Sequence, residues 1–143
     1  MRAFAIEDFG QTGSFHQLPV PSIEADQVLV RVRAAGINPV DWKIAQGGRY
    51  KDRMATRSWP LILGLDAAGV VMRVGDDVSR FRAGDEVYAV FSAFGAFTEY
   101  AAISAAAAVA LKPRMTDFVH AAALPPSRAF TRLRWYSIWM PCP

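Results

Sequence analysis

The sequence predicts a mainly β fold, a small irregular barrel with short helices, and three observations predict it. Short runs of β-branched and aromatic residues recur along the chain, glycine- and aspartate-rich turns separate them, and the clearest run alternates with a period of two. In that run, Val28, Val30 and Val32 fall on one side and Arg31 and Arg33 on the other, as a half-buried strand requires.

The elements follow in order. Met1 to Ile6 reads as a first strand, and Gly10-Gln11-Thr12-Gly13-Ser14 as a loop. Phe15 to Pro21 fits a proline-flanked edge strand. After Val28–Ala34, Gly36-Ile37-Asn38-Pro39-Val40-Asp41 leads into a helix from Pro39 to about Gln46, with Asn38 at the cap and proline at the first helical position. The segment from Gly47 to Arg53 is polar and belongs at the surface, with Tyr50 its one aromatic. Leu61-Ile62-Leu63 opens a long run of small and β-branched residues from Gly64 to Val74. Glycine and aspartate turns at Gly75-Asp76-Asp77 and Ala83-Gly84-Asp85 precede a strand ending near Phe91. Phe97 to Ser104 and Val109 to Pro113 add two more strands. Thr116-Asp117 caps a helix to about Ala123, and His120 lies on it as a half-buried spectator rather than a base.

Composition narrows the function classes. A chain of 143 residues, 52% of them hydrophobic, supports one core and is too short for two ordinary domains. The net charge of +3 is local: Arg128, Arg132 and Arg134 lie beyond Pro126, where no acidic residue occurs, leaving 13 basic and 13 acidic residues in 1–126. Such balance offers no nucleic-acid footprint. The one cysteine, Cys142, permits neither an internal disulfide nor a cysteine zinc site. A reduced, cytoplasmic protein without a signal peptide or membrane span is the expectation.

Gly36 to Ile44 packs polar groups tightly between two apolar segments, which makes Asn38 and Asp41 the leading site candidates. On local pattern alone, Asn38 reads as a helix cap and Asp41 as a complement to the helix dipole, each contributing about 1 kcal/mol. His16 has no carboxylate or nucleophile near it in sequence and receives no role.

Gly36-Ile37-Asn38-Pro39-Val40-Asp41, Gly64-Leu65-Asp66-Ala67-Ala68-Gly69-Val70-Val71, Gly84-Asp85-Glu86-Val87-Tyr88 and Gly95-Ala96-Phe97-Thr98-Glu99-Tyr100 occur in this order. Together they resemble the N-terminal domain of the medium-chain dehydrogenase/reductases, closest to the zinc-independent quinone reductase branch that includes the zeta-crystallins. The resemblance covers about residues 1–126. It implies a GroES-like β-barrel catalytic domain that normally faces a Rossmann domain across a cleft holding NADPH. It also implies a small quinone or enone as substrate, with homo-oligomers among full-length relatives. Asn38, Asp41 and Tyr50 are then the catalytic positions: Asn38 lines the nicotinamide and substrate cleft as a hydrogen-bond donor, Asp41 orders its turn, and Tyr50 stands at the cleft mouth. Asn38 and Tyr50 are the expected cofactor contacts. Asp66 reads evenly as structural or functional.

Zinc-dependent relatives carry cysteine where Asn38 stands and Gly-His-Glu where this chain has Gly64-Leu65-Asp66, so no metal site is expected. The resemblance breaks after Pro126. Residues 127–143 hold half of the four tryptophans, the sole cysteine and the whole charge excess, as a reading-frame change would produce. The Rossmann domain is thus expected to be absent and the chain inactive alone. A genuine extension packing Trp135, Ile138 and Trp139 as one helical face is the alternative for the tail. For the whole chain, the alternatives are a free-standing barrel acting as a binding module, or a translated product with no role.

Overall fold

The strand foreseen at Val28–Ala34 is the longest element of the computed structural model, which describes residues 1–54, 57–91 and 95–124. Eight strands occur among them: β1 (Arg2–Ile6), β2 (Ser14–Gln17), β3 (Gln27–Gly36), β4 (Leu61–Ile62), β5 (Asp66–Val74), β6 (Glu86–Val90), β7 (Tyr100–Ser104) and β8 (Val109–Leu111). Three short α-helices accompany them: α1 (Pro39–Ala45), α2 (Lys51–Met54) and α3 (Phe118–Ala123). The reading of residues 127–143, with Trp135, Ile138 and Trp139, lies outside the described residues.

β3 sits inside a five-stranded antiparallel sheet of order β7-β3-β5-β6-β8, and β1 inside a three-stranded sheet of order β2-β1-β4. The two are not one closed ladder. Residues Phe97 to Glu99 stitch them together: Phe4 N–H donates to Phe97 O, Glu99 N–H to Arg2 O, and Val32 N–H to Glu99 O. The strand expected from Phe97 therefore begins as a link to β1 and becomes β7 only at Tyr100. β2 is the edge strand foreseen, but it ends at Gln17 instead of running to Pro21, because Pro19 and Pro21 have no N–H to give a ladder.

The alternation that marked β3 is what builds the main core. Val28 and Val30 are buried against Val71, Val87, Phe91, Ile103 and Val109. A second cluster, Ile6, Ile44, Met54, Leu61 and Leu63, lies under α1, with Phe4, Phe9, Tyr50 and Phe97 against it. The Gly47–Arg53 segment, read as a polar surface loop, instead makes a 3-10 turn at Gly48–Tyr50 and then α2, since Tyr50 and Met54 have that cluster to pack on.

Two features shape the end of β3. Val32 and Ala34 both have partners on β5 while Arg33 has none, a one-residue bulge that bends and twists a strand. Beyond it, α3 packs on the sheet so closely that a Cβ on Gly36 would sit 2.6 Å from Ala122 O. Asp117 caps α3 by accepting from His120 N–H at 2.7 Å. His120 is exposed instead of half-buried, its ring turned back to the Asp117 carboxylate, because Ala121 and Ala122 take the inward face.

Candidate functional site

Where β3 ends and α1 begins, Pro39 keeps Asn38 out of helical conformation, and Asn38 takes an extended backbone with φ −121° and ψ 151°. Its place is that of an N-cap, but its side chain looks elsewhere. Asn38 Nδ2 donates across the sheet to Asp66 Oδ2 at 2.9 Å, at the first residue of β5. The bond closing the helix start runs the other way, from Asn38 N–H to Asp41 Oδ2 at 2.7 Å, the carboxylate arm of a capping box. Register explains why two residues 28 positions apart meet: Gly36 pairs with Asp66, so the chain leaving β3 passes directly over the start of β5.

Both carboxylates are buried, Asp41 and Asp66 each only 4% exposed, and Asp41 Oδ1 and Asp66 Oδ1 have no hydrogen-bond partner. Burial pushes the Asp41 carboxyl above its ordinary value, Asp66 nearby pushes it the same way, and the main-chain N–H groups of Asn38 and Gly64 oppose them. Burial also raises the Asp66 carboxyl, against the Asn38 amide that favours its charge. Each acid thus holds one oxygen on Asn38. Asn38, half-buried, stands between them, its main-chain N–H on Asp41 and its side-chain amide on Asp66.

Tyr50 lies elsewhere. α1 separates it from Asn38, and a helix of seven residues is about 10 Å long. The Tyr50 ring packs on the Ile44 and Met54 cluster, and its hydroxyl accepts from Arg49 Nη2 at 3.1 Å. The structure thus brings Asn38 and Asp41 together, leaves Tyr50 outside their hydrogen-bond network, and adds Asp66, whose role the sequence left open.

A groove of about 500 Å³ opens on the other side of the β3 end. Phe4, Phe15, Ala35, Ile37 and Phe97 line it, with the exposed Arg2–Glu99 ion pair at its rim. Ile37, 86% exposed, links this apolar surface to Asn38 by a single peptide bond, though none of Asn38, Asp41 and Asp66 lines the groove. Sequence reading missed it, because it is assembled from three strands; the only local signal was an isoleucine between glycine and asparagine.

Similarity to known proteins agrees with this arrangement. The chain is 40% identical over 136 residues to an NADPH-dependent alkenal/one oxidoreductase of Arabidopsis thaliana, an alignment covering 87% of this chain and 34% of that one. Its fold superposes on a quinone oxidoreductase from Coxiella burnetii with a TM-score of 0.83 at 28% identity, over 96% of this chain and 45% of the other. The Escherichia coli quinone oxidoreductase complexed with NADPH gives 0.77 at 28%, over 87% and 37%. This chain spans about a third of the length of the curated relatives it matches. Nothing in these likenesses favours a free-standing binding module. Residues 24–113, from just before β3 to just beyond β8 and so including the Asn38, Asp41 and Asp66 cluster, match the alcohol dehydrogenase GroES-like domain, and the chain belongs to that family.

Proposed function

We propose that this chain is the substrate-side catalytic domain of an NADPH-dependent quinone or enone reductase that works without zinc and is inactive by itself. The observation that carries the reading is the Asn38 amide, held by the buried Asp66 carboxylate at a strand-to-helix turn that the buried Asp41 carboxylate closes. An amide nitrogen has two N–H groups, and one is given to Asp66, so one remains for a carbonyl oxygen. The bound nicotinamide would supply the hydride. Asn38 would hold the substrate oxygen as it gains charge, work that a pre-set neutral donor performs without losing a proton. Asp41 would keep the turn from relaxing, and Tyr50 would contribute only an aromatic face at the far end of α1.

Donor chemistry supports the zinc-free reading. Leu65 offers no ligand atom, the Asn38 nitrogen is committed to Asp66, and a tetrahedral zinc site calls for thiolate or imidazole. NADPH fits Asn38 at its nicotinamide end alone. No two glycines of the 143 residues stand two apart, so these residues cannot form a Gly-x-Gly-x-x-Gly phosphate turn.

The test is to add cyclohexenone at high concentration to isotope-labelled chain while following amide resonances. The reading predicts displacement at the Asn38 side chain and the main chain of Ile37 and Val40. Displacements confined to other surfaces, with Asn38 unmoved, would contradict it.

A further inference from the structure

The Asn38 side chain has no covalent reason to present its nitrogen rather than its oxygen, since an amide can turn over about its last bond at little cost. Something else must decide. Asp66 Oδ2 lies 2.9 Å from Nδ2, on a carboxylate that is itself 4% exposed at the first residue of β5. An ionised carboxylate only accepts, so it selects the amide nitrogen and rejects the amide oxygen. The Asp41 carboxylate bonds to the Asn38 main chain and so fixes the turn, not the end of the amide that faces Asp66.

We propose that Asp66 is a positioning residue for Asn38: its ionised carboxylate holds the amide with nitrogen inward and so fixes which N–H is left for the substrate oxygen. This rests on the reductase reading for its purpose, though the contact itself does not. The contact reaches between neighbouring strands, and Gly36 paired with Asp66 sets its length. Among the described residues, Asp41 is the one carboxylate whose charge couples to the pair. Around the pair are Asp41, the Gly64 and Asn38 N–H groups, and the alanine face of α3 with Ala34, Tyr88 and Phe118. The charged groups of the packed elements, Arg31 and Arg33 on β3, Glu86 on β6 and Asp117 and His120 on α3, make no hydrogen bond or ion pair to either carboxylate. Protonation of Asp66 would add a donor to the carboxyl and let it pair with either end of the amide, so acid should loosen the preference that neutral pH holds.

The experiment follows the two Asn38 side-chain N–H resonances in the full chain across pH, with Asp66→Asn beside the wild type, and then adds cyclohexenone to both. The proposal expects one of the two wild-type resonances to move with a single acid titration, and that movement to be lost in Asp66→Asn. It also expects cyclohexenone to displace the amide resonances less in the variant. Should Asp66→Asn fail to fold, the wild-type titration decides alone, since an amide untethered by a carboxylate shows no such movement. Resonances insensitive to pH and unchanged in a folded Asp66→Asn overturn the proposal. Equal displacement by cyclohexenone in both proteins overturns it while leaving the reductase reading standing. A tethered amide that cyclohexenone never touches keeps the tether, but overturns its purpose and the reductase reading with it.

Discussion

Asn38 was recognisable as a candidate because it interrupts an apolar stretch just before a proline; Asp66 was not, because its partner is 28 residues away and only the β3–β5 register joins them. The buried acids make a prediction with a definite sign. A carboxyl raised above its ordinary value, 3.8 for both Asp41 and Asp66, is destabilising when ionised, so stability falls as pH rises through its folded value and returns as pH falls towards 3.8. Glu99 and Asp117, held low by Arg2 and by His120, work oppositely, but only below their ordinary values of 4.5 and 3.8. As the solution is acidified through the folded values of the pair, and before Glu99 is reached at 4.5, the melting temperature should therefore rise, and Asp66→Asn should flatten that rise. A melting temperature that falls steadily on acidification from neutrality would refute this account of the pair. Asn38→Ala removes the donor from a buried carboxylate and should cost about 1–3 kcal/mol in urea unfolding at neutral pH. An unchanged stability would mean that the amide contact is not formed.

At the scale of elements, the strands were the legible part. β3, β5 and β6 carry period-two patterns or runs of small residues bounded by glycine and aspartate, and they lie close to where those signals put them. What misled was tertiary context. Phe97-Thr98-Glu99 has strand chemistry but spends it joining β1, and Tyr50 and Met54 draw a polar-looking stretch into helical turns. His120 was misplaced because the apolar face of α3 consists of alanines, a weak hydrophobic signal for an inward side. These elements depend on one close approach. Gly36→Ala would place a methyl group 2.6 Å from Ala122 O and force α3 off the end of β3, at a cost of about 1–3 kcal/mol by chemical denaturation. An alanine variant as stable as the parent would show that this packing is loose. Asp117→Ala should cost about 1 kcal/mol by loss of the α3 cap, and far-ultraviolet circular dichroism should show less helix.

For the whole molecule, the fold and the family come from long-range order that a single sequence expresses only as four motifs in sequence. No helix among the described residues is long and apolar enough to cross a membrane. The chain spans about a third of its curated relatives' length, and the residues it has supply an oriented amide without a dinucleotide grip. On the proposed reading, contacts at the nicotinamide end would amount to roughly 4 kcal/mol, a dissociation constant near millimolar. Remote phosphate binding is what positions a nicotinamide for transfer, and an amide facing open water is screened as a stabiliser of charge. The decisive measurement is a titration of purified chain with NADPH, followed by tryptophan fluorescence and then by NADPH oxidation with a simple quinone. The account predicts no saturation below about millimolar and no turnover. Saturable micromolar binding, or turnover that Asn38→Ala abolishes, would contradict it.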